Sequence, residues 1–209
     1  REISSGFYLD STTNTWRIND HKVQAIRDLI EEIGYDSTGK RNKVLIWCTF
    51  KFEIETLQEV LSRDYKVGVA YSKTKDIYEV CNAFQHGDLE ILIAHPQTLK
   101  YGVTLTSCHY CIYSSMSYSY DDYYQSESRI IRKGQENLCM FYFMQSEDTI
   151  DETIYKCVTE KGRNAKIFER IVKSISKHGY NKEQINSLLS VPIEVKYAVT
   201  NDNDINGYN

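Results

Sequence analysis

Five short apolar runs, separated by amphipathic stretches, constrain this 209-residue chain more than any other feature of it. They are residues 43–50 (KVLIWCTF), 65–71 (YKVGVAY), 90–94 (EILIA), 109–114 (HYCIYS) and 138–144 (LCMFYFM). Runs this short, without regular polar alternation, read as strands buried on both faces, as in a parallel sheet. The stretches between them carry helical spacing. Ile54, Leu57 and Leu61 share one face of residues 51–61, and Ile77, Val80, Cys81 and Phe84 one face of residues 76–85. Ile150, Ile154, Cys157 and Val158 do the same in 148–160, and a separate helix is expected over 164–176. Ahead of the first strand, Val23, Ile26, Leu29, Ile30 and Ile33 predict a helix capped by Asn19 or Asp20 and ended by Gly34. The turn-rich opening predicts a hairpin around residues 11–14. Strand and helix in alternation give an α/β fold: a parallel sheet covered by helices on both faces. Ligands of such sheets sit at the carboxyl ends of the strands, here the loops 49–51, 71–75, 95–106, 114–119 and 145–148.

Composition narrows the partners. The formal net charge of −4 excludes a strongly basic tail but leaves room for a local basic groove. The six cysteines lie mostly inside apolar runs and read as reduced thiols of an intracellular, cytoplasmic protein. Cys108 and Cys111 form a CxxC without a second ligand pair at zinc spacing, so no metal is expected there. No apolar run approaches a membrane span, no signal peptide is visible, and no membrane partner is expected. Residues 34–40 (GYDSTGK) match the GxxxxGK of a phosphate-binding loop. The next residue is Arg41 rather than Ser or Thr, and the context runs from helix to strand instead of strand to helix. This is a glycine-rich surface loop.

Two stretches carry chemistry. Residues 120–133 read as a helix ending at Gly134, which puts Gln125, Arg129 and Arg132 on one stripe at i, i+4 and i+7. Ile130 and Ile131 then point away from the stripe and anchor the helix. An amide with two guanidinium groups suits phosphate, because arginine stays charged, forks toward phosphate oxygens and can neutralise charge on a transferring phosphoryl group. The second stretch, residues 95–106 (HPQTLKYGVTLT), follows the third strand and is long for a connection. Gly102 lets backbone approach a ligand closely, and Thr104 and Thr106 offer hydroxyls.

Taken in order, 44–50, the GVTLT of 102–106, the QxxxRxxRxGQ of 125–135 and the DTIDE of 148–152 resemble the second RecA-like lobe of superfamily-two helicases. The likeness is greatest to Swi/Snf-type DNA translocases of phage or bacterial type, and it spans about residues 43–161. Residues 44–50, 98–106 and 125–135 resemble that family's motifs IV, V and VI. Val103-Thr104 stand where the family commonly has Leu-Asn, and Ile131 where it has His; neither departure removes a charged group. A Walker A loop and an acidic box on a buried strand, the marks of the first lobe, are not found. With its first residue Arg1 rather than Met, the chain is read as part of a longer protein.

The resemblance implies a RecA-like lobe at 43–178, preceded by a hairpin-and-helix lead-in at 1–42 and followed by a partly flexible extension at 179–209. It implies a double-stranded-DNA-dependent ATPase whose ATP and Mg2+ are held mainly by the N-terminal RecA-like lobe of the same protein, so that this fragment alone is inactive. Arg129 and Arg132 would face the γ-phosphate, with Arg132 the finger and Gln125 positioning phosphate or water. Gly102 and Thr104 would belong to the nucleotide site. Lys51, Lys73, Lys75, Thr98 and Lys100 would follow one phosphate strand of DNA. Two alternatives stay open: the lobe of a strand-separating DNA or RNA helicase, and a helicase-like adaptor without catalysis.

Overall fold

The structure, a computed structural model, describes residues 2–10, 14–99 and 102–178. The chain divides into two compact units, Arg1–Arg163 and Asn164–Asn209. The fold and the sites belong to the first, and in the second the described residues, 164–178, are helical. The expected extension at 179–209 and Lys100 lie outside the described residues.

Five parallel strands form the sheet in the order β4-β5-β3-β6-β7: β3 (Val44–Trp47), β4 (Val67–Ala70), β5 (Ile91–Ala94), β6 (Tyr110–Tyr113) and β7 (Met140–Phe143). Each of the five apolar runs supplies one strand. The strands are shorter than the runs, because the flanking residues turn into loops at the sheet edges. Central β3 pairs with β5 through Val44↔Ile91 and with β6 through Val44↔Tyr110, and all four of its residues are buried. A strand paired on both sides and covered on both faces must be apolar throughout, which is what its sequence is. A smaller antiparallel hairpin joins β1 (Phe7–Leu9) to β2 (Thr15–Arg17).

The two faces of β3 feed separate cores. Val44 and Ile46 pack with Ile26 and Ile30 of α1 (His21–Ile33) and with Ile54, Leu57 and Leu61 of α2 (Lys51–Leu61). Leu45 and Trp47 pack with Cys81 and Phe84 of α3 (Ile77–His86) and with Leu99, Leu105, Cys108 and Ile130. This period-two alternation is the geometric signature of a strand, and it places helices on both faces as the sequence predicts. Asp76 caps α3 by accepting from the Glu79 amide at 2.8 Å.

Two helices depart from expectation. α4 (Tyr120–Glu127) ends before the arginines, and residues 128–135 form turns instead of the two further helical turns expected up to Gly134. Ser128 Oγ donates back to the Gln125 carbonyl at 2.8 Å, a local bond that competes with helix propagation. The separate helices expected at 148–160 and 164–176 are one, α5 (Ile150–His178), since Gly162 and Asn164 between them do not break it. The 34–41 loop is closed by Asp36, whose carboxylate accepts from the amides of Thr38 and Lys40.

Two buried polar groups brace the lobe. Lys22 of α1 and Asp151 of α5 form a 2.8 Å ion pair with side chains only 8% and 10% exposed. Asp151 also accepts from Ser4 Oγ at 2.9 Å and from the Ser146 amide. The other brace is Glu53 in the first turn of α2, buried and accepting from the hydroxyls of Ser114 and Ser115 just beyond β6. Ser115 Oγ in turn accepts from the Thr49 amide, so the loops after β3 and β6 are held together.

Asp151→Ala strands a buried ammonium and is expected to cost about 3–5 kcal/mol in urea unfolding, whereas Lys22→Met with Asp151→Leu recovers most of the loss. Equal losses in the single and double variants would show that shape, not charge, is what the pair supplies. Burial raises the Glu53 carboxyl above its ordinary value, and the two serine hydroxyls only partly oppose that. A raised folded value favours the fold below the unfolded carboxyl range and loses that contribution as pH rises through the folded one. Glu53→Gln should therefore gain stability relative to the parent as pH rises from the ordinary glutamate value of about 4.3 toward neutrality. A difference independent of pH across that range contradicts this reading.

Candidate functional site

The turn after α4 brings both arginines onto the loop that follows β5. Arg129 Nη1 donates to the Val103 carbonyl at 3.2 Å, and its Nε to the Gln125 carbonyl at 3.2 Å. Arg132 Nη1 donates to Thr104 Oγ1 at 3.0 Å and reaches the Val103 carbonyl at 3.5 Å. Backbone binds the segments together as well: the Leu105 amide donates to the Arg129 carbonyl at 2.9 Å. Ile130 anchors the turn at 0% exposure, while Ile131, expected to help, is 44% exposed because the helix has already ended. Burial, and then the nearby Arg132 charge, lower the Arg129 guanidinium from its usual value. Two like charges are thus held close together.

Gly102 stands beside this pair with φ of +79°, the left-handed region that favours glycine, and open space where a side chain would project. The chain can therefore approach a ligand there without steric cost. Gln125 is less committed. Its amide nitrogen donates to Asp121 at 2.9 Å, while its buried Oε1 has no partner. It meets Arg129 through its main-chain carbonyl, not through the shared helical stripe expected from spacing.

Gln135, quoted in the motif but given no role by the sequence, is a structural stitch. Its side-chain nitrogen donates to the carbonyls of Cys108 at 2.9 Å and Thr106 at 3.3 Å. Loop carbonyls ahead of β6 would otherwise lack these partners. Thr106 Oγ1 accepts from Gln85 Nε2 of α3 at 3.2 Å, a bond that ties this loop to the helix.

A second locus lies at the carboxyl ends of β3, β4 and β5. Thr49, Lys51, Ile54, Tyr71, Ser72, His95, Gln97 and Thr98 line a cleft of about 330 Å3. Thr49 Oγ1 is buried without a partner in the cleft wall. Lys73 reaches Glu55 at 2.8 Å, and Lys51 lies beside it: the side-chain contact with Lys73, then burial, lowers the Lys51 ammonium, while the bond to Glu55 raises that of Lys73. Lys51 and Thr98 are thus brought together; Lys73 and Lys75 are exposed and are not among the lining residues. His95 is lowered, chiefly by burial, and its Nδ1 accepts from the Gln97 amide. The connection after β5 serves both loci, lining the cleft with residues 95, 97 and 98 and holding the arginines with residues 103 and 104.

Cys108 and Cys111 are both buried, and among the described residues no group of three His, Cys, Asp or Glu side chains is arranged to hold a metal. No helix among the described residues is long and apolar enough to cross a membrane.

These features match known proteins. The helicase conserved C-terminal domain family covers residues 21–134, from the start of α1 to the glycine after the second arginine. A crystal structure of the C-terminal part of the Fun30 ATPase domain superposes with a TM-score of 0.58 at 26% identity, over 66% of this chain and 44% of that one. The chain therefore spans less than half of the length of that structure. No curated protein matches the chain significantly. With the five-stranded parallel sheet, the ordered motifs and a family match over more than half its length, this chain belongs to the helicase C-terminal domain family, as a RecA-like second lobe of the superfamily-two, Swi/Snf-like kind.

Proposed function

We propose that the chain is the C-terminal lobe of an ATP-dependent translocase on double-stranded DNA. The convergence of Arg129 and Arg132 on residues 103 and 104, next to the open approach at Gly102, carries this reading. Two guanidinium groups gathered beside an unobstructed backbone suit the terminal phosphate of a nucleotide held on an opposing surface. ATP with Mg2+ supplies the phosphoryl group and the energy of its transfer. Both are held mainly by the N-terminal RecA-like lobe of the same protein, which brings the carboxylates for the metal.

In this account Arg132 exchanges the Thr104 hydroxyl for a phosphate oxygen when the lobes close. It stabilises charge developing on the transferring group, as an arginine finger does. Arg129, tethered to Gln125 and Val103, gives up less freedom on engagement and contributes mainly to binding. The unpartnered Gln125 Oε1 is suited to orient water or a phosphate-bound proton.

Duplex DNA lies along the carboxyl ends of β3, β4 and β5. Lys51, Lys73 and Lys75, together with Lys100 of the connection after β5, neutralise one phosphate strand; Thr98 supplies a hydroxyl. The connection after β5 passes the state of the nucleotide to the DNA surface, because its two ends serve the two loci. Closure on ATP and release after hydrolysis then step this lobe along the duplex.

Arg132→Ala in the two-lobed protein should lower duplex-stimulated ATP hydrolysis by about a thousandfold or more, with duplex affinity unchanged. A wild-type rate would sink the assignment. The same protein should displace a triplex-forming strand ahead of it yet leave a tailed duplex unseparated. Efficient unwinding of the tailed substrate would instead identify a strand-separating helicase.

A further inference from the structure

Glu55 stands one helical turn beyond Lys51 on α2, and its carboxylate ties together the basic side of the cleft. Oε1 accepts from Lys73 Nζ at 2.8 Å and from Tyr71 Oη at 3.1 Å. Lys51 lies beside the same Lys73 ammonium. Two lysines and one carboxylate leave one net positive charge where the lysines alone would present two. The side chains of Lys73 and Glu55 are 57% and 37% exposed, so water reaches the pair. Such pairs are weak and easily exchanged. Tyr71, itself buried, fixes the carboxylate from the cleft side.

We propose that Glu55 is a built-in counter-ion for the DNA-tracking lysines. It holds Lys73 when no duplex is bound, yields to a backbone phosphate, and so keeps the affinity of this lobe low enough for it to let go at each step. The inference rests on the DNA reading above. Its chemistry is simple exchange: a phosphate oxygen takes the place of Glu55 Oε1 at the Lys73 ammonium, and no bond other than hydrogen bonds is made or broken. An internally neutralised lysine releases fewer condensed counterions when it meets DNA, so the salt dependence of binding records whether Glu55 is present.

The test uses the 209-residue chain and a labelled duplex, with anisotropy titrations across a salt series. Glu55→Gln keeps an oxygen for Tyr71 and Lys73 and removes the charge. It should bind roughly threefold to tenfold tighter at low salt. Its log–log salt slope should be steeper by up to about 0.9. The control is Glu59→Gln, which deletes the same charge from the same helix one turn further on, at a residue paired with Arg63 and not with Lys73. It should leave the slope unchanged and the affinity near that of the parent. Equal gains in both variants would reduce the effect to net charge and overturn the proposal. Weaker binding by Glu55→Gln would overturn it too, by showing that Glu55 positions Lys73 for DNA. If neither the parent nor Glu55→Gln binds duplex at low salt, the DNA reading fails and takes this inference with it. Circular dichroism of each variant separates loss of binding from loss of fold.

Discussion

Burial of β3 on both faces is the constraint from which the rest of this lobe follows. Its residues alternate between two cores: Val44 and Ile46 face α1 and α2, while Leu45 and Trp47 face α3 and the loops around Leu99 and Ile130. Fully burying each such side chain is worth about 1.5–3 kcal/mol, and no polar group can be introduced there without losing part of that. Charged and hydroxylic side chains are therefore displaced to the strand ends. Because the strands are parallel, the carboxyl ends gather on one edge, where the cleft lies, while the arginines stand in the turn between α4 and β7. The long connection after β5 contributes residues to both loci, giving a direct physical route between them.

The arginine locus shows how a turn can do what a helix cannot. On a continuous helix, Gln125, Arg129 and Arg132 would form a rigid stripe. With α4 ending at Glu127, the two guanidinium groups instead fold onto the Val103 carbonyl and the Thr104 hydroxyl. Those bonds hold Arg132 through two uncharged acceptors, the Val103 carbonyl and the Thr104 hydroxyl. Under the proposed function, Arg132 exchanges one hydrogen bond for a stronger, charge-assisted one when it meets phosphate. The surrounding stitches, Gln135 to the Cys108 and Thr106 carbonyls and the Leu105 amide to the Arg129 carbonyl, fix the turn against the loop.

The strands and most of the helices were legible because burial writes itself into sequence with the period of each element. Where the helix of the arginines would stop was not legible from that period, which runs on through Ile130 and Ile131. The outcome was set by Ser128, whose hydroxyl bonds to the carbonyl one turn back, and by tertiary bonds to a loop some 25 residues away in sequence. The family resemblance assigned Arg129, Arg132, Gly102 and Thr104 to one nucleotide site, but the bonds of the two arginines to residues 103 and 104 were not legible in it. Glu53 and Asp151 were missed for a plainer reason. A carboxylate at an inward helix position reads as an interruption of the apolar face until its partners, here Ser114, Ser115 and Lys22, are brought near by the fold. Glu53 did leave a trace, one turn before the buried Leu57.

The central claim is that this lobe carries half of a nucleotide site. Its most direct test is the structure of the two-lobed protein with duplex DNA and a transition-state analogue of ATP hydrolysis. The account predicts that the Arg132 guanidinium leaves Thr104 Oγ1 and hydrogen-bonds the group standing in for the γ-phosphate. An Arg132 still bonded to Thr104 and Val103, with analogue and DNA both in place, would contradict it.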